Sequence, residues 1–307
     1  MSESYIPLTK EDREEMRATL GRTGGMREVM LRERTIPESY KANLDLVTQE
    51  RISLTLPGAE VPVECVITMA KDREENCPVH VNMHGGGFVF PQDHDDDLYC
   101  AHVAARIHGI VVDIDYATSF DYAFPTAFNQ CYGVMQWVFR KCEEWKADPK
   151  RVSYGGHSAG GNLTAALSLR AAQTGDFKPC LQILDYAALD NDMSVHEGTP
   201  TYNERSAAFS RLYCDGRMEQ LKDPFVSPCF ATDEMLKNQP KTLVIAAQKC
   251  PFREINEVYA KRLAAAGNEV SFRLFENSAH GFTIRMNGEE WMDAQELIIQ
   301  AILESSL

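Results

Sequence analysis

The sequence predicts an α/β fold, with a mostly parallel central sheet flanked by helices and a small helical cap. Three observations carry that prediction. Compact apolar runs recur along the chain at 78–84, 109–116, 151–156, 179–186, 241–247 and 268–275. Helix-like segments separate most of them, at 95–108, 126–146, 159–173 and 253–266, with another at about 288–304. This alternation is the pattern of parallel strands joined by crossover helices and covered on both faces. The chain has 307 residues, enough to bury a large core.

Taken in order, residues 8–33 are rich in Glu, Arg and Met, which predicts one or two helices. RISLTLP and VPVECVITM, within 49–69, alternate as a hairpin does and supply an antiparallel edge. The stretch 190–237 breaks the strand–helix rhythm and contains NERSAAFSRLYCDG, a short helix. We therefore divide the chain into an N-terminal helical cap segment at 1–45, a core at 46–189, a cap insertion at 190–237 and completion of the core at 238–307. Such sheets place their sites at the C-terminal ends of the strands, which the cap would cover.

Composition narrows the function classes. The net charge is −14 with no basic tract, so nucleic acid and anionic membrane surfaces are poor partners. No run of about eighteen apolar residues forms a membrane span, and the polar, acidic start MSESYIPLTKEDREEM does not resemble a signal peptide. The nine cysteines include no CxxC pair, which argues for free thiols and a reducing cytoplasm. There is no HExxH and no GxxxxGK[ST], the signatures of a zinc hydrolase and a phosphate loop.

The sharpest local signal is RVSYGGHSAGGNLTAALSLRAA. An apolar strand enters Gly156-His157-Ser158-Ala159-Gly160 and a helix leaves it, so the glycines relieve a tight turn that projects the serine hydroxyl. Ser158 is the candidate nucleophile. His157 is expected to play a structural part, satisfying a backbone group beneath the site. Met83-His84-Gly85-Gly86-Gly87-Phe88 follows another apolar strand. The amides of Gly86, Gly87 and Ala159 are candidates for an oxyanion hole, and His84 is expected to order the loop. Near the other end, His280 in FENSAHGF stands last, as the order nucleophile, acid, histidine requires, and is the candidate base. The histidines at 94, 102, 108 and 196 lack such a setting.

HGGGF at 84–88, GHSAGG at 156–161 and AHGF at 279–282 together resemble the hormone-sensitive-lipase-like branch of the α/β-hydrolases, the HGGG-type bacterial carboxylesterases. The likeness runs from roughly 78 to 285. It implies the α/β-hydrolase fold and a serine carboxylesterase of short or medium acyl chains, acting on a small-molecule ester. It also implies a mobile N-terminal cap, no cofactor and frequent homodimers. Two positions depart from that family: His157 stands where Asp is usual, and CPFREI stands where a segment like DPLRDE carries the catalytic aspartate, so Cys250 occupies the acid's place.

A neutral thiol does the acid's work poorly, because that work is to fix the histidine tautomer and stabilise its positive charge. Glu254, four residues on and about 6 Å along a helix, is the first candidate for a replacement. Glu257 and Glu276 are others, and a site with no effective acid is the remaining alternative. The rival functions are a catalytically impaired binding or regulatory protein and a serine amidase or peptidase. Phe88, Phe90, Tyr122, Tyr186, Tyr213 and Phe282 are candidates to line a substrate pocket.

Overall fold

A computed structural model describes residues 7–23, 36–192 and 204–306. Eight strands form one sheet in the order β1-β2-β4-β3-β5-β6-β7-β8. They are β1 (Val47–Leu54), β2 (Val63–Ala70), β3 (Cys77–Met83), β4 (Ile110–Asp115), β5 (Ala147–His157), β6 (Leu181–Asp185), β7 (Lys241–Lys249) and β8 (Val270–Ala279). The β1–β2 and β2–β4 pairs are antiparallel and all the others are parallel. The expected hairpin therefore forms the antiparallel edge, with Val47 opposite Ala70 and Leu54 opposite Val63.

The central strands are buried on both faces: every residue of β3 and of β6 is buried. The covering helices are α2 (His94–Ile107), α3 (Thr126–Trp145), α4 (Ala159–Thr174), α6 (Arg253–Ala265) and α8 (Trp291–Glu304), the last preceded by the single turn α7 (Phe282–Arg285). An aspartate starts α2: Asp93 caps it, and Asp96 reciprocates in a capping box. Glycine ends α4, with Gly175 in the left-handed region at φ 71°. One face of the sheet packs Val79, Val81, Val112 and Tyr154 against Val134 and Val138 of α3 and Leu163 of α4. On the other face Val111 and Ile183 meet Val103 of α2 and Ile298 of α8.

Two further helices, α1 (Lys10–Thr23) and α5 (Glu204–Tyr213), pack on one another. Leu8, Met16 and Leu20 from the N-terminal segment share a small apolar cluster with Ala208 and Leu212 of α5 and with Val89, just past the glycine loop. Arg13 fixes the pair: its guanidinium donates to the carbonyls of Ser119 (3.0 Å) and Phe120 (3.3 Å) and pairs with Asp215. Tyr40, later in the same N-terminal stretch, instead packs edge-on against Trp291 and bonds Gln295, both on the body of the molecule. Within the expected helical region 8–33, residues 24–33 lie outside the described residues, as does His196.

Candidate active site

Strand order brings the motifs together. The HGGG loop leaves β3, the serine elbow leaves its neighbour β5, Cys250 leaves β7 and His280 leaves β8, all at the C-terminal edge of the parallel strands. Adjacent strands lie about 4.8 Å apart, so residues more than a hundred positions apart in sequence become neighbours here. A surface hollow of about 510 Å³ lies at the opposite end of the sheet, among Lys178, Gln239, Gly267 and Ser305.

Ser158 occupies φ 55°, ψ −112°, a strained backbone for any residue with a side chain. The strain is held from several sides. Its N–H donates to the carbonyl of Asp185 (3.0 Å), and its carbonyl accepts from Asn162 (3.1 Å) and Ala188 (3.0 Å). Gly160 is required by close approach, since a Cβ there would overlap the Met83 carbonyl at the end of β3. The elbow is thereby pressed against the HGGG strand. A Cβ on Gly85 would lie 3.6 Å from the Cβ of Ser158.

His280 follows the last residue of β8, and its Nε2 lies 2.9 Å from Ser158 Oγ. Tyr186 and Phe252 meet the ring edge-on, with centroids 5.0 and 5.5 Å away. Glu290, at the start of α8, anchors the loop by accepting from Ser278 Oγ (2.6 Å) and the Asn277 N–H (3.0 Å). Those bonds lower its pKa.

The Nδ1 side of His280 faces Cys250, with Sγ at 3.1 Å. Burial pushes this thiol up to about 12, and the nearby Asp185 charge adds to the effect, so the group is neutral at pH 7. Two proton arrangements fit the geometry. If the thiol donates to Nδ1, the imidazole proton sits on Nε2 and cannot accept the serine's. If Nδ1–H donates to sulfur, Nε2 is free to act as base. A carboxylate would enforce the second arrangement, whereas a thiol only permits it.

The structure does not bring Glu254 to the histidine. It lies in the first turn of α6 with its side chain 84% exposed, paired with Arg253 at 3.1 Å. Pointing into solvent gives a carboxylate better hydration than a buried approach to His280 would. Glu257 turns to Lys261 (2.7 Å) and Arg253 (3.3 Å), and Glu276 is an exposed residue of β8.

The glycine loop is shaped as its sequence suggests. Gly86 and Gly87 take φ of 122° and 63°, and the Gly86 carbonyl accepts from the amides of Val89 (3.1 Å) and Phe90 (3.0 Å). His84 is buried and stacks on Tyr116 with centroids 4.0 Å apart. Its Nδ1–H donates to the Gly85 carbonyl (2.7 Å), while the Tyr116 hydroxyl donates to the His84 carbonyl (2.8 Å). The ring orders the loop and stays neutral, since burial lowers its pKa.

His157 has a different partner from the expected backbone group. Its Nδ1 meets the carboxylate of Asp185 at 2.7 Å, and both side chains are almost wholly buried. Burial raises the Asp185 pKa, and the bond to His157 opposes that rise. Asp185 is the residue that sequence reasoning passed over. Its signal was a carboxylate at the end of the otherwise uncharged, strand-forming run PCLQILDY.

The aromatic candidates also sort differently. Phe88 stacks on Tyr213 with centroids 3.7 Å apart, and both are buried packing, as is Phe282. Tyr122 is exposed. Tyr186 contacts His280, and Phe90 stands at the glycine loop beside Phe209 of α5.

An elbow serine bonded to a histidine from the last strand, beneath a glycine loop, defines the serine hydrolases of the α/β-hydrolase type. Residues 80–284 match the α/β-hydrolase fold family. The chain belongs to that family. It is similar to esterase LipI of Mycobacterium tuberculosis, 29% identical over 68% of this chain and 67% of LipI. It is 28% identical to an arylesterase of Saccharolobus solfataricus, over 75% of this chain and 76% of that one. Among solved structures, the esterase of Pyrobaculum calidifontis superposes with a TM-score of 0.77 at 25% identity, over 98% of this chain and 95% of that chain.

Proposed function

We propose that this protein is a serine carboxylesterase that hydrolyses short-chain esters of small molecules through an acyl-enzyme. The observation that carries the reading is the 2.9 Å contact of Ser158 Oγ with His280 Nε2 at a strained elbow beside the glycine loop. Ser158 Oγ adds to the ester carbonyl carbon while Nε2 takes its proton. The developing oxyanion rests on the amides of Gly86, Gly87 and Ala159. Collapse of the tetrahedral intermediate releases the alcohol, which leaves with the proton from Nε2. Water then repeats the sequence on the acyl-enzyme and frees Ser158.

Esterases among the relatives, together with the assembled Ser–His pair, favour this over a purely binding role or a peptidase. The test is steady-state hydrolysis of p-nitrophenyl acetate and butyrate by wild type against S158A. Turnover by wild type clearly above the S158A blank is the expected result. Equal rates in a folded pair of proteins would overturn the reading.

The proposal extends to a cytoplasmic setting, supported by nine free cysteines. No described helix is long and apolar enough to cross a membrane. It also extends to a homodimer. β8 is an edge strand carrying exposed Phe272, and exposed Val258 lies on the helix packed beside it. Light scattering at micromolar concentration is expected to give twice the 34.5 kDa chain mass. A purely monomeric sample would remove the dimer from the proposal.

A further inference from the structure

One aromatic ring of the α1–α5 pair is set directly on the glycine loop. A Cβ added to Gly87 would lie 2.9 Å from Cγ and Cδ2 of Phe209 and 3.0 Å from its Cδ1, closer than a real Cβ approaches a neighbour. Gly87 is therefore a glycine for two reasons: its φ of 63° and the ring that fills its side-chain space. Phe90 completes the wall. It meets Phe209 edge-on with centroids 6.0 Å apart, and a Cβ on Gly86 would lie 3.0 Å from its own.

The ring is not a loose surface residue. Its helix is held by Ala208 and Leu212 against Leu8, Met16 and Leu20. The α1 side of that cluster is tied down by the Arg13 bonds and by the Arg17 guanidinium, 4.4 Å from the centre of the Phe120 ring. Phe209 and Phe90 are both half-buried, so neither is sealed in the core.

From this placement we infer that Phe209, backed by Phe90, sets the size of the ester substituent accepted on the Gly87 side of the carbonyl. The inference rests on the esterase reading and deepens it. An oxyanion held at about 3 Å by the Gly86 and Gly87 amides puts both substituents of the carbonyl carbon within a few ångströms of Gly87. The substituent that runs along this side meets the Phe209 ring after a few carbons. A short chain stops before the ring and keeps its contact with the loop. A longer one must displace an aromatic side chain packed against the cluster of Leu8, Met16, Leu20, Ala208 and Leu212.

The measurement is kcat/KM for two ester series, p-nitrophenyl esters from acetate to octanoate and alkyl acetates from methyl to octyl, with wild type and F209A. Each methylene that enters the vacated space adds about threefold to fourfold in kcat/KM. The octyl-to-short ratio is expected to rise about tenfold or more in one series. Profiles unchanged in both series, with hydrolysis retained, would overturn the inference. F209W keeps the packing if F209A fails to fold, and it is expected to lower the same ratio; no change there would also count against the proposal. Calorimetric affinities for butylboronic and octylboronic acid make the comparison without turnover. Discrimination there without hydrolysis would sink the esterase reading alone, and hydrolysis with no change in either size profile would sink this inference alone.

Discussion

C250D is expected to raise kcat/KM for p-nitrophenyl butyrate substantially, by up to about 10⁴-fold, the loss that follows when the acid of a serine protease is neutralised. The reason lies in what Cys250 already touches. Its sulfur is 3.1 Å from His280 Nδ1 and accepts the backbone N–H of Phe252 at 3.4 Å. A carboxylate there would inherit that amide and the N-terminal end of α6, both of which stabilise negative charge. It would also hold the proton on Nδ1, leave Nε2 free to accept from Ser158, and face the imidazolium that forms during acylation. Burial and the neighbouring Asp185 work against ionisation, so the gain need not reach the full figure. E254Q, in contrast, is expected to stay within about twofold of wild type, because Glu254 is turned to solvent. A C250D protein that folds and shows no gain would mean that another group already does the acid's work. A loss of more than about tenfold in E254Q would name that group.

The second large effect concerns stability. D185A is expected to cost about 1–3 kcal/mol in urea unfolding, because it leaves a buried imidazole N–H without its acceptor. His157 and Asp185 lie 3% and 0% exposed and meet at 2.7 Å. Tyr99 presses edge-on against the His157 ring, with centroids 4.9 Å apart, so water has little room to replace the lost carboxylate. The double variant H157A/D185A is expected to lose less than the sum of the two single losses, the mark of a direct interaction. Additive losses, or a D185A cost below about 1 kcal/mol, would mean that the pair serves geometry rather than stability.

The two departures from the family pattern look alike in sequence but differ in the structure. At 157, a histidine stands where aspartate is usual, and Asp185 on the adjacent strand β6 supplies its partner, in register opposite it. The substitution at 157 is thus answered by a hydrogen bond to the adjacent strand. At 250 the cysteine meets His280 itself, so the substitution falls on the catalytic contact.

What the sequence determined by itself is local or ordered along the chain. Alternating apolar runs and helical segments give the sheet and its covering layers, because burial on both faces demands continuous apolar strands. GHSAGG and HGGG announce tight backbone, because only glycine tolerates the approach of Gly160 to Met83 and of Gly87 to Phe209. The position of His280, last in the chain order of this class, makes it the candidate base. The tertiary structure alone decided which side chains share space. Glu254 and Cys250 are four residues apart, yet one faces water and the other faces Nδ1, a distinction set by how α6 sits against β7. Asp185 met His157, and Phe209 met Gly87, through strand register and helix packing over separations that no local pattern encodes. Local conformation follows from each residue's own backbone and its near neighbours, whereas these contacts form only when the buried faces of the whole sheet close together.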